Sequence, residues 1–370
     1  MTGMRDAPLT PAELIALNQI DGLTVSDLRR AIPDHCLELH PFRSWLALIR
    51  SLFLIGTFQW LIYVVGSRPD LAQILRVMLL IPLWFALACG FVGLFVLGHD
   101  CGHRSFSPAP LLNDVVGHLC MAPLLTGFHS WRIAHNHHHT HTQIRGEDTD
   151  WPEGMVTYSE FQRQSLSGRF RTSAGFGSPL GVLLGFWSGV LRRLAPKLAY
   201  PQLRLTKGDR RRVLASNASM ILVLGTLTSA LLVNGGGPGL LIHFITPATL
   251  AAAIGSMLTL LHHTSERALV FDRREWTPMR GQVLSTFQVR FPRLLEWLWL
   301  DINIHLPHHL APQIPWYHLR AAGVALQSAY PAYYQERRFQ WKHLRLIWSR
   351  PLLAHNPSDH FYQPTGWPHR

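Results

Sequence analysis

The chain has 370 residues, of which 48% are apolar and only 15% are charged, against roughly 25% charged residues in a typical soluble domain. It carries 34 lysines and arginines and 22 aspartates and glutamates, a formal net charge of +12. The low charge content, with the apolar residues gathered in a few blocks, excludes an ordinary soluble domain and argues against a nucleic-acid-binding protein. The composition indicates an integral membrane protein whose excess of base suits anionic headgroups at the cytoplasmic face, or an acidic redox partner.

The N-terminal 45 residues are polar and are predicted to be cytoplasmic. They contain no apolar stretch typical of a cleavable signal peptide. Within them, residues 24–32 read as a short helix that ends near Pro33, with Thr24 or Ser26 as its N-terminal cap.

Four apolar blocks are long enough to cross a bilayer, which takes about 20 helical residues. These blocks are Leu46–Val65, Leu71–Gly98, Val213–Val233 and Leu240–Leu261. The segment before residue 213 is rich in arginine and lysine, whereas the loop Asn234–Gly239 carries no charge. The positive-inside rule therefore predicts that the basic segment and both termini are cytoplasmic.

The predicted fold is an all-α integral membrane protein, with four transmembrane helices and a cytoplasmic helical cap that carries the histidine clusters. Leu111–Leu125 and Pro179–Leu194 are too short or too glycine-rich to cross, and are predicted to be re-entrant or interfacial. The predicted regions are an N-terminal segment (1–45), transmembrane helices 1 and 2 (46–98), a cytoplasmic region with two histidine clusters (99–212), transmembrane helices 3 and 4 (213–262) and a cytoplasmic C-terminal region with the third cluster (263–370).

Histidines recur at helical spacing beside the predicted crossings. One pair is four residues apart, and two runs have the spacing i, i+3, i+4, which puts three imidazoles on one helix face. A single pair is more often a polar surface patch, but three clusters on one side of the membrane indicate a metal site. Imidazole binds zinc, copper, iron and nickel, so the ligand type does not name the metal. The clusters are His99 and His103; His135, His138 and His139; and His305, His308 and His309.

Eight imidazoles exceed what one ion accepts, so two ions are inferred. A structural zinc site would be closed by four ligands, whereas a site of two redox-active metals with open positions can reduce oxygen and attack an unactivated C–H bond. The membrane supplies such a substrate as a long hydrocarbon chain.

Other residues are candidates for roles around this site. His262 and His263 close the fourth predicted crossing, where a histidine either extends to the interface or serves as a ninth ligand. His137 and His141 fall on the flank of the second cluster. Carboxylates near the clusters are candidates for orienting the ligands through the second imidazole nitrogen. These are Asp100, Glu147, Asp148, Asp150 and Asp301, of which Asp301 precedes a cluster by four residues; Asp301 or Asn303 is also expected to cap the helix of the third cluster.

These motifs together resemble the membrane fatty acid desaturases, most closely the Δ12/ω-6 and ω-3 acyl-lipid branch of bacteria and plastids. The resemblance lies in HDCGHRSFS from His99, WRIAHNHHH from Trp131, NIHLPHH from Asn303 and the HHT element from His262. It extends to the N-terminal TVSDLRRAIPDHC from Thr24, so that nearly the whole chain is covered.

The resemblance implies a non-haem centre of two iron ions, O2 as co-substrate and electrons from an external carrier such as ferredoxin or cytochrome b5. It implies a cis double bond in an acyl-lipid or other fatty acyl substrate, and no catalytic residue apart from the metal centre. No His-Pro-Gly-Gly element occurs, so we expect the electron donor to be a separate protein. The expected setting is a bacterial inner membrane or a plastid-like membrane, with the site on the cytoplasmic face. The implied ligands are the eight clustered histidines, with His263 as the additional one.

Three alternative functions share some of these features. A diiron hydroxylase or ketolase acting on fatty acids, alkanes or carotenoids has the same histidine clusters, although the motif from His99 and the N-terminal motif favour acyl desaturation. A membrane zinc hydrolase would need fewer histidines and a carboxylate general base. A metal transporter would bind its ion near the middle of the bilayer, whereas these histidines flank the crossings on one side.

Overall fold

The computed structural model describes residues 11–150, 156–173, 178–183, 194, 200–264, 270–348 and 353–354. Helices dominate this part of the chain, with two pairs of short strands. Most of the segment predicted to be interfacial at Pro179–Leu194 lies outside the described residues.

The N-terminal region forms two short helices, α1 (Pro11–Asp21) and α2 (Val25–Arg30), and a 3-10 turn at Asp34–Leu37. Of the two predicted caps of α2, the structure has Thr24, whose hydroxyl accepts from the Asp27 backbone N–H while the Asp27 carboxylate accepts from the Thr24 backbone N–H. This reciprocal cap satisfies two N–H groups that the helix itself leaves unpaired.

Two long apolar helices follow, α3 (Pro41–Gly66) and α4 (Gln73–Gly102), and they pack against each other. The 30 residues of α4 would span about 45 Å, more than the roughly 30 Å thickness of a hydrocarbon core. Its first half has exposed apolar side chains, whereas from Leu87 onward it is buried almost throughout. The C-terminal end of α4 therefore reaches into the protein interior and carries its histidines there.

The next two helices are joined at a sharp bend. The helix α5 (Pro110–Met121) and a 3-10 turn at Ala122–Leu124 meet α6 (Phe128–His141) at 98°. An angle this large means that the pair does not form one straight crossing. After α6 come β1 (Val156–Thr157), α7 (Tyr158–Arg163) and α8 (Leu166–Ser173).

The remaining apolar residues form α9 (Lys207–Leu240), a π turn (Leu241–Ile245) and α10 (Thr246–His263). Straight, these 57 residues would be about 86 Å long. The helix breaks at Gly236, whose φ of 60° and ψ of −158° are not helical. Leu227 and Leu231, before the break, belong to the same apolar cluster as Phe244 and Ala248, after it, so the chain folds back on itself.

Three helices among the described residues are long and apolar enough to cross a membrane, or four if the bent pair α5–α6 counts as one. The longest of the three is the folded segment α9–α10, in which the sequence predicts two crossings. The described residues thus form a mostly helical structure with three or four candidate membrane-spanning helices, as expected of an integral membrane protein.

The C-terminal region contains short elements connected by turns. Strand β1 pairs in parallel with β4 (Leu353–Ala354), and β2 (Gln288–Arg290) pairs in parallel with β3 (Glu336–Arg338). In chain order the elements are a π turn (Met279–Leu284), β2 (Gln288–Arg290), α11 (Arg293–Leu298), α12 (Leu306–Leu310), a 3-10 turn (Trp316–His318), α13 (Leu319–Ala329), β3 (Glu336–Arg338), α14 (Trp341–Trp348) and β4 (Leu353–Ala354).

A second apolar core joins the two ends of the chain. Leu28 and Cys36 from the N-terminal region share it with Leu306 and Leu310 of α12. Arg29 Nε also donates to the Leu310 carbonyl at 2.7 Å. The N-terminal region therefore holds the helix that carries the third histidine cluster.

Candidate metal centre

The three histidine clusters lie at the ends of helices that meet in the interior. His99 is in the last turn of α4, α6 carries the second cluster, and His305 is the residue before α12. Close contact between α4 and α6 depends on Gly102, because a Cβ there would lie 2.7 Å from the Trp131 ring. That ring stacks on His135 at 4.5 Å between centroids.

The structure brings these histidines together in two adjoining groups. In each group the nitrogen atoms that could bind a metal lie within 4.8 Å of one another. His139 Nε2 lies 3.1 Å from His135 Nε2, and His305 Nε2 lies 3.0 Å from both His263 Nε2 and His309 Nε2. The first group is His99, His103, His135 and His308, and the second is His138, His263 and His309.

The spacing of the nitrogens fits metal ligation. His99 Nε2 and His308 Nε2 are 3.1 Å apart, and His138 Nε2 and His263 Nε2 are 3.3 Å apart. Two nitrogens bound at right angles to an ion at about 2.1 Å would be about 3.0 Å apart. His103 Nε2 is buried and has no hydrogen-bond partner among the described residues. A set of converging, buried imidazoles with an unpaired nitrogen is suited to transition-metal ions.

Carboxylates and a carbonyl bind the opposite nitrogen of several of these rings. His138 Nδ1 is 2.7 Å from Asp148 Oδ1, and both side chains are almost fully buried. His99 Nδ1 is 3.3 Å from Asp100 Oδ1, and His263 Nδ1 is 3.3 Å from the Ser285 carbonyl. A ring whose Nδ1–H donates to an oxygen directs Nε2 toward the centre, which fixes its orientation as a ligand.

The remaining predicted carboxylates have different surroundings. Asp150 Oδ2 lies 3.8 Å from His138 Nε2. The Asp301 carboxylate instead binds Arg293 and Arg320, so its expected contact with a histidine is not found. Asp301 has a positive φ of 52° before the start of α12, and this turn directs its side chain to the arginines.

The expected cap of the third cluster is also wrong. No side chain of Asp301 or Asn303 caps α12, whose N-cap residue is His305. Gln288 Oε1, from strand β2, accepts from the backbone N–H groups of His305 and Leu306 at 2.8 Å and 2.7 Å. Pro307 lies in the first turn, as predicted, where a missing N–H costs no helical hydrogen bond.

Burial and charge determine the protonation of the histidines. Burial, followed by the neighbouring imidazoles, holds the pKa of His305, His308 and His309 well below the ordinary value. These rings are therefore neutral at neutral pH, as ligation requires. Burial also lowers the pKa of His138, but the carboxylates of Asp148 and Asp150 outweigh it and raise that pKa to about 9. The negative potential that favours a proton there also favours a metal cation.

The other histidines near the site differ in position. His262 is buried, and its ring stacks on His305 at 4.0 Å between centroids. His263 is the member of the pair that joins the second group of nitrogens. Both are inside the protein rather than at an interface with water. His137 and His141 stack on each other at 3.8 Å, on the outer side of α6.

Several polar residues that support the site have no local sequence signal. Gln143 donates to the His263 carbonyl, and Glu296 is buried between Arg290, Arg320 and Asn303. Asn303 also donates to the Val289 carbonyl, which ties the chain before α12 to strand β2. These contacts join residues 6 to 120 positions apart in the chain, so spacing alone does not reveal them.

Comparison with known proteins shows similarity along most of the chain. The family model for fatty acid desaturase matches residues 77–341, which include all the histidines of the two groups.

Among curated proteins, the sn-1 oleoyl-lipid 12-desaturase of Picosynechococcus sp. is 30% identical over 93% of this chain and 94% of its own length. The sn-1 acyl-lipid omega-3 desaturase (ferredoxin) of Nostoc sp. is also 30% identical, over 91% and 89%. The chloroplastic omega-6 fatty acid desaturase of Spinacia oleracea is 27% identical over 88% and 69%.

Proposed function

This chain belongs to the fatty acid desaturase family, and we propose that it places a cis double bond at the Δ12 (ω-6) or ω-3 position of an acyl chain in a membrane lipid. The chain is an oxidoreductase of lipid metabolism with membrane character. The observation that carries the finer proposal is the meeting of nine imidazoles from four separate segments in one buried site, in a chain similar to acyl-lipid desaturases over nearly all its length.

We propose that the nine histidines hold two iron ions. The first ion is assigned to His99, His103, His135, His139 and His308, and the second to His138, His263, His305 and His309. His139 is assigned to the first set because its Nε2 lies 3.1 Å from His135 Nε2, and His305 to the second because its Nε2 lies 3.0 Å from two members. When bound, two such ions supply the reduction of O2 that removes two hydrogens from neighbouring carbons.

The side chains around the histidines position them for this chemistry. Asp148 and Asp100 bind the Nδ1 atoms of His138 and His99, and so hold the rings with Nε2 toward the centre. The N-terminal core and Gln288 hold α12, so that His305, His308 and His309 keep their places relative to α6. The site is almost fully buried, which keeps bulk water from the reacting carbons.

The proposed electron donor is a separate acidic ferredoxin. The relative from Nostoc sp. is named as a ferredoxin-dependent desaturase, and this chain carries a formal net charge of +12. Attraction between opposite charges raises the rate of encounter and weakens with added salt. Reconstitution with ferredoxins of differing acidity is expected to give salt-sensitive turnover with the most acidic carrier, and turnover that does not change with salt would contradict this assignment.

The proposed side of the site is the cytoplasmic face. Lys207, Arg210, Arg211 and Arg212 precede or begin the apolar part of α9, and the break at Gly236 lies in an uncharged segment. By the positive-inside rule the basic end is inside. The histidine end of α10 returns to the same side as this basic end, because α9 and α10 fold back on each other.

The fatty acid profile of a bacterium that expresses the chain tests the proposed reaction. The host makes only saturated and monounsaturated acids, and the products are separated by gas chromatography with mass spectrometry of derivatised double bonds. A new dienoic or trienoic acid with its double bond at the ω-6 or ω-3 position is expected, and it is expected to be absent with the His138→Ala variant. Hydroxy acids instead would indicate the diiron hydroxylase, and an unchanged profile with an iron-loaded protein would indicate a substrate that is not a fatty acyl chain.

A further inference from the structure

Two arginines from separate parts of the chain meet around one carboxylate beside the histidine site, and a third arginine lies near them. Arg104 and Arg132 each place a guanidinium nitrogen 3.4 Å from Asp114 Oδ1. Arg212 lies on α9, which packs against α5 and α6, and its NH1 is 3.8 Å from Asp209 Oδ1. After burial and Arg104, its charge also contributes to the lowered pKa of Arg132. We call Arg104, Arg132 and Arg212 the arginine cluster.

The three positive charges of the arginine cluster exceed the two negative charges of Asp114 and Asp209 beside it. Burial, followed by the positive charge of Arg104, lowers the pKa of Arg132, so the cluster holds like charges close together. The side chains of Arg104 and Arg132 are nevertheless 36% and 24% exposed, which leaves them open to a ligand. An anion that enters would relieve the repulsion between the guanidinium groups.

The backbone of Arg104 has an unusual conformation that places its side chain in the arginine cluster. Its φ of 64° lies in the left-handed region, which residues with a side chain rarely adopt. The turn is closed by hydrogen bonds from Arg104 N to the Cys101 carbonyl and from Ser105 N to the Asp100 carbonyl. This turn directs the Arg104 side chain toward α5, where its NH1 donates to the Pro110 carbonyl at 2.5 Å.

The surroundings of the arginine cluster mark the boundary between lipid tails and polar headgroups. The outer face of α5 is apolar, with Leu111 73% exposed and Leu119 63% exposed. Arg212 is followed on α9 by the apolar stretch that includes Leu214, 72% exposed. Helix α9 packs against both α5 and α6, so these lipid-facing surfaces adjoin the cluster.

We propose that the arginine cluster binds the anionic headgroup of a membrane lipid. Guanidinium groups bind phosphate oxygens in pairs, and basic pockets beside membrane helices bind such headgroups. The proposal needs only the charge and the place of the cluster, so it does not depend on the proposed reaction. Because Arg104 follows His103 and Arg132 lies one turn before His135, the bound lipid lies beside the histidine site.

The test is native mass spectrometry of the purified protein titrated with phosphatidylglycerol or with phosphatidylcholine. The wild-type protein is expected to retain phosphatidylglycerol in preference, and Arg104→Gln, Arg132→Gln and Arg212→Gln are each expected to weaken its retention about fivefold. The control is Arg338→Gln, which removes an exposed arginine on strand β3. Iron content and the elution profile show whether each variant is folded, and Arg212→Gln, farthest in sequence from a histidine ligand, serves if the others misfold.

Two outcomes would overturn the proposal. Equal retention of phosphatidylglycerol by the wild-type protein and by a folded Arg212→Gln variant would show that the cluster does not bind the headgroup. The same conclusion would follow if the control Arg338→Gln lost as much phosphatidylglycerol retention as the variants of the cluster. Inorganic phosphate is added in a separate titration. If it binds to the protein and displaces the lipid completely, the cluster is a site for a free anion rather than for a lipid.

Discussion

The inner and outer faces of α6 carry the same residue type in opposite settings. On the inner face, the His138 side chain is 1% exposed and is bound to Asp148 at 2.7 Å. On the outer face, His137 and His141 stack at 3.8 Å, and His141 is 22% exposed and 3.8 Å from Glu147. Helix face and packing partners, rather than the number of histidines in the segment, therefore determine which imidazoles converge.

The strongest test of this comparison replaces a ring on the inner face. His138→Ala and His308→Ala are each expected to abolish desaturation, because each removes a nitrogen from one of the two groups and opens a buried cavity. The measurements are the fatty acid profile and the iron content of the purified protein, with membrane insertion as the control for folding. Turnover close to that of the wild-type protein in either variant would overturn the ligand assignment.

Replacing the carboxylates beside the two faces of α6 is expected to have a smaller effect, which is measured on metal affinity. Asp148→Asn is expected to weaken metal affinity by about 10–100-fold, because the amide no longer accepts the Nδ1 proton of His138 as a charged group. Glu147→Gln, beside the outer face, is the matched control and is expected to leave the affinity unchanged. Competition with a chelator measures the metal affinity of both variants. Equal losses of metal affinity would mean that the two faces of α6 do not differ in their role at the metal centre.

The buried carboxylate of Glu296, which lies outside α6, is expected to affect the stability of the protein and the pH dependence of that stability. Burial raises the pKa of Glu296, but Arg290, Arg320 and the Phe291 N–H outweigh it and lower that pKa to about 2. Its stabilising effect is therefore present above pH ~4.5 and lost as pH falls toward 2. Glu296→Gln is expected to cost about 1–3 kcal/mol at neutral pH, because it removes charge-assisted hydrogen bonds from Arg290 and Arg320, which keep Glu336 and Asp301 as partners. Thermal melts of the wild-type protein and the Glu296→Gln variant from pH 7 to pH 3 check this. If the difference in melting temperature between the two proteins stays constant over this range, the ionised carboxylate is not the cause of the stabilisation.

The smallest effect is expected on the outer face itself. His137→Gln and His141→Gln are expected to retain iron and activity within about twofold, because a surface substitution away from a buried contact changes stability by no more than about 0.5 kcal/mol. Iron content measured beside that of His138→Ala gives the contrast directly. Loss of iron in His141→Gln would move the metal site to include the outer face.

Much of the site could be read from the sequence because its histidines repeat at helical spacing. The spacing i, i+3, i+4 predicts a shared face, and the structure has His135, His138 and His139 together on α6. Proximity in sequence was a poorer guide to the carboxylates. Asp301, four residues before His305, binds two arginines, whereas Asp148, ten residues after His138, binds its ring. A turn can reverse a side chain within four residues, and spacing does not report turns.

The membrane character, the long apolar helices and the helix faces on which the histidines lie follow from the amino-acid sequence alone, because hydrophobic length and helical period are local properties. How α4, α6, α10 and α12 meet depends on tertiary packing. Gln288 of strand β2 caps α12, and Arg29 of the N-terminal region donates to the Leu310 carbonyl from 281 residues away. Such contacts depend on shape and burial across the whole chain, which no local pattern encodes.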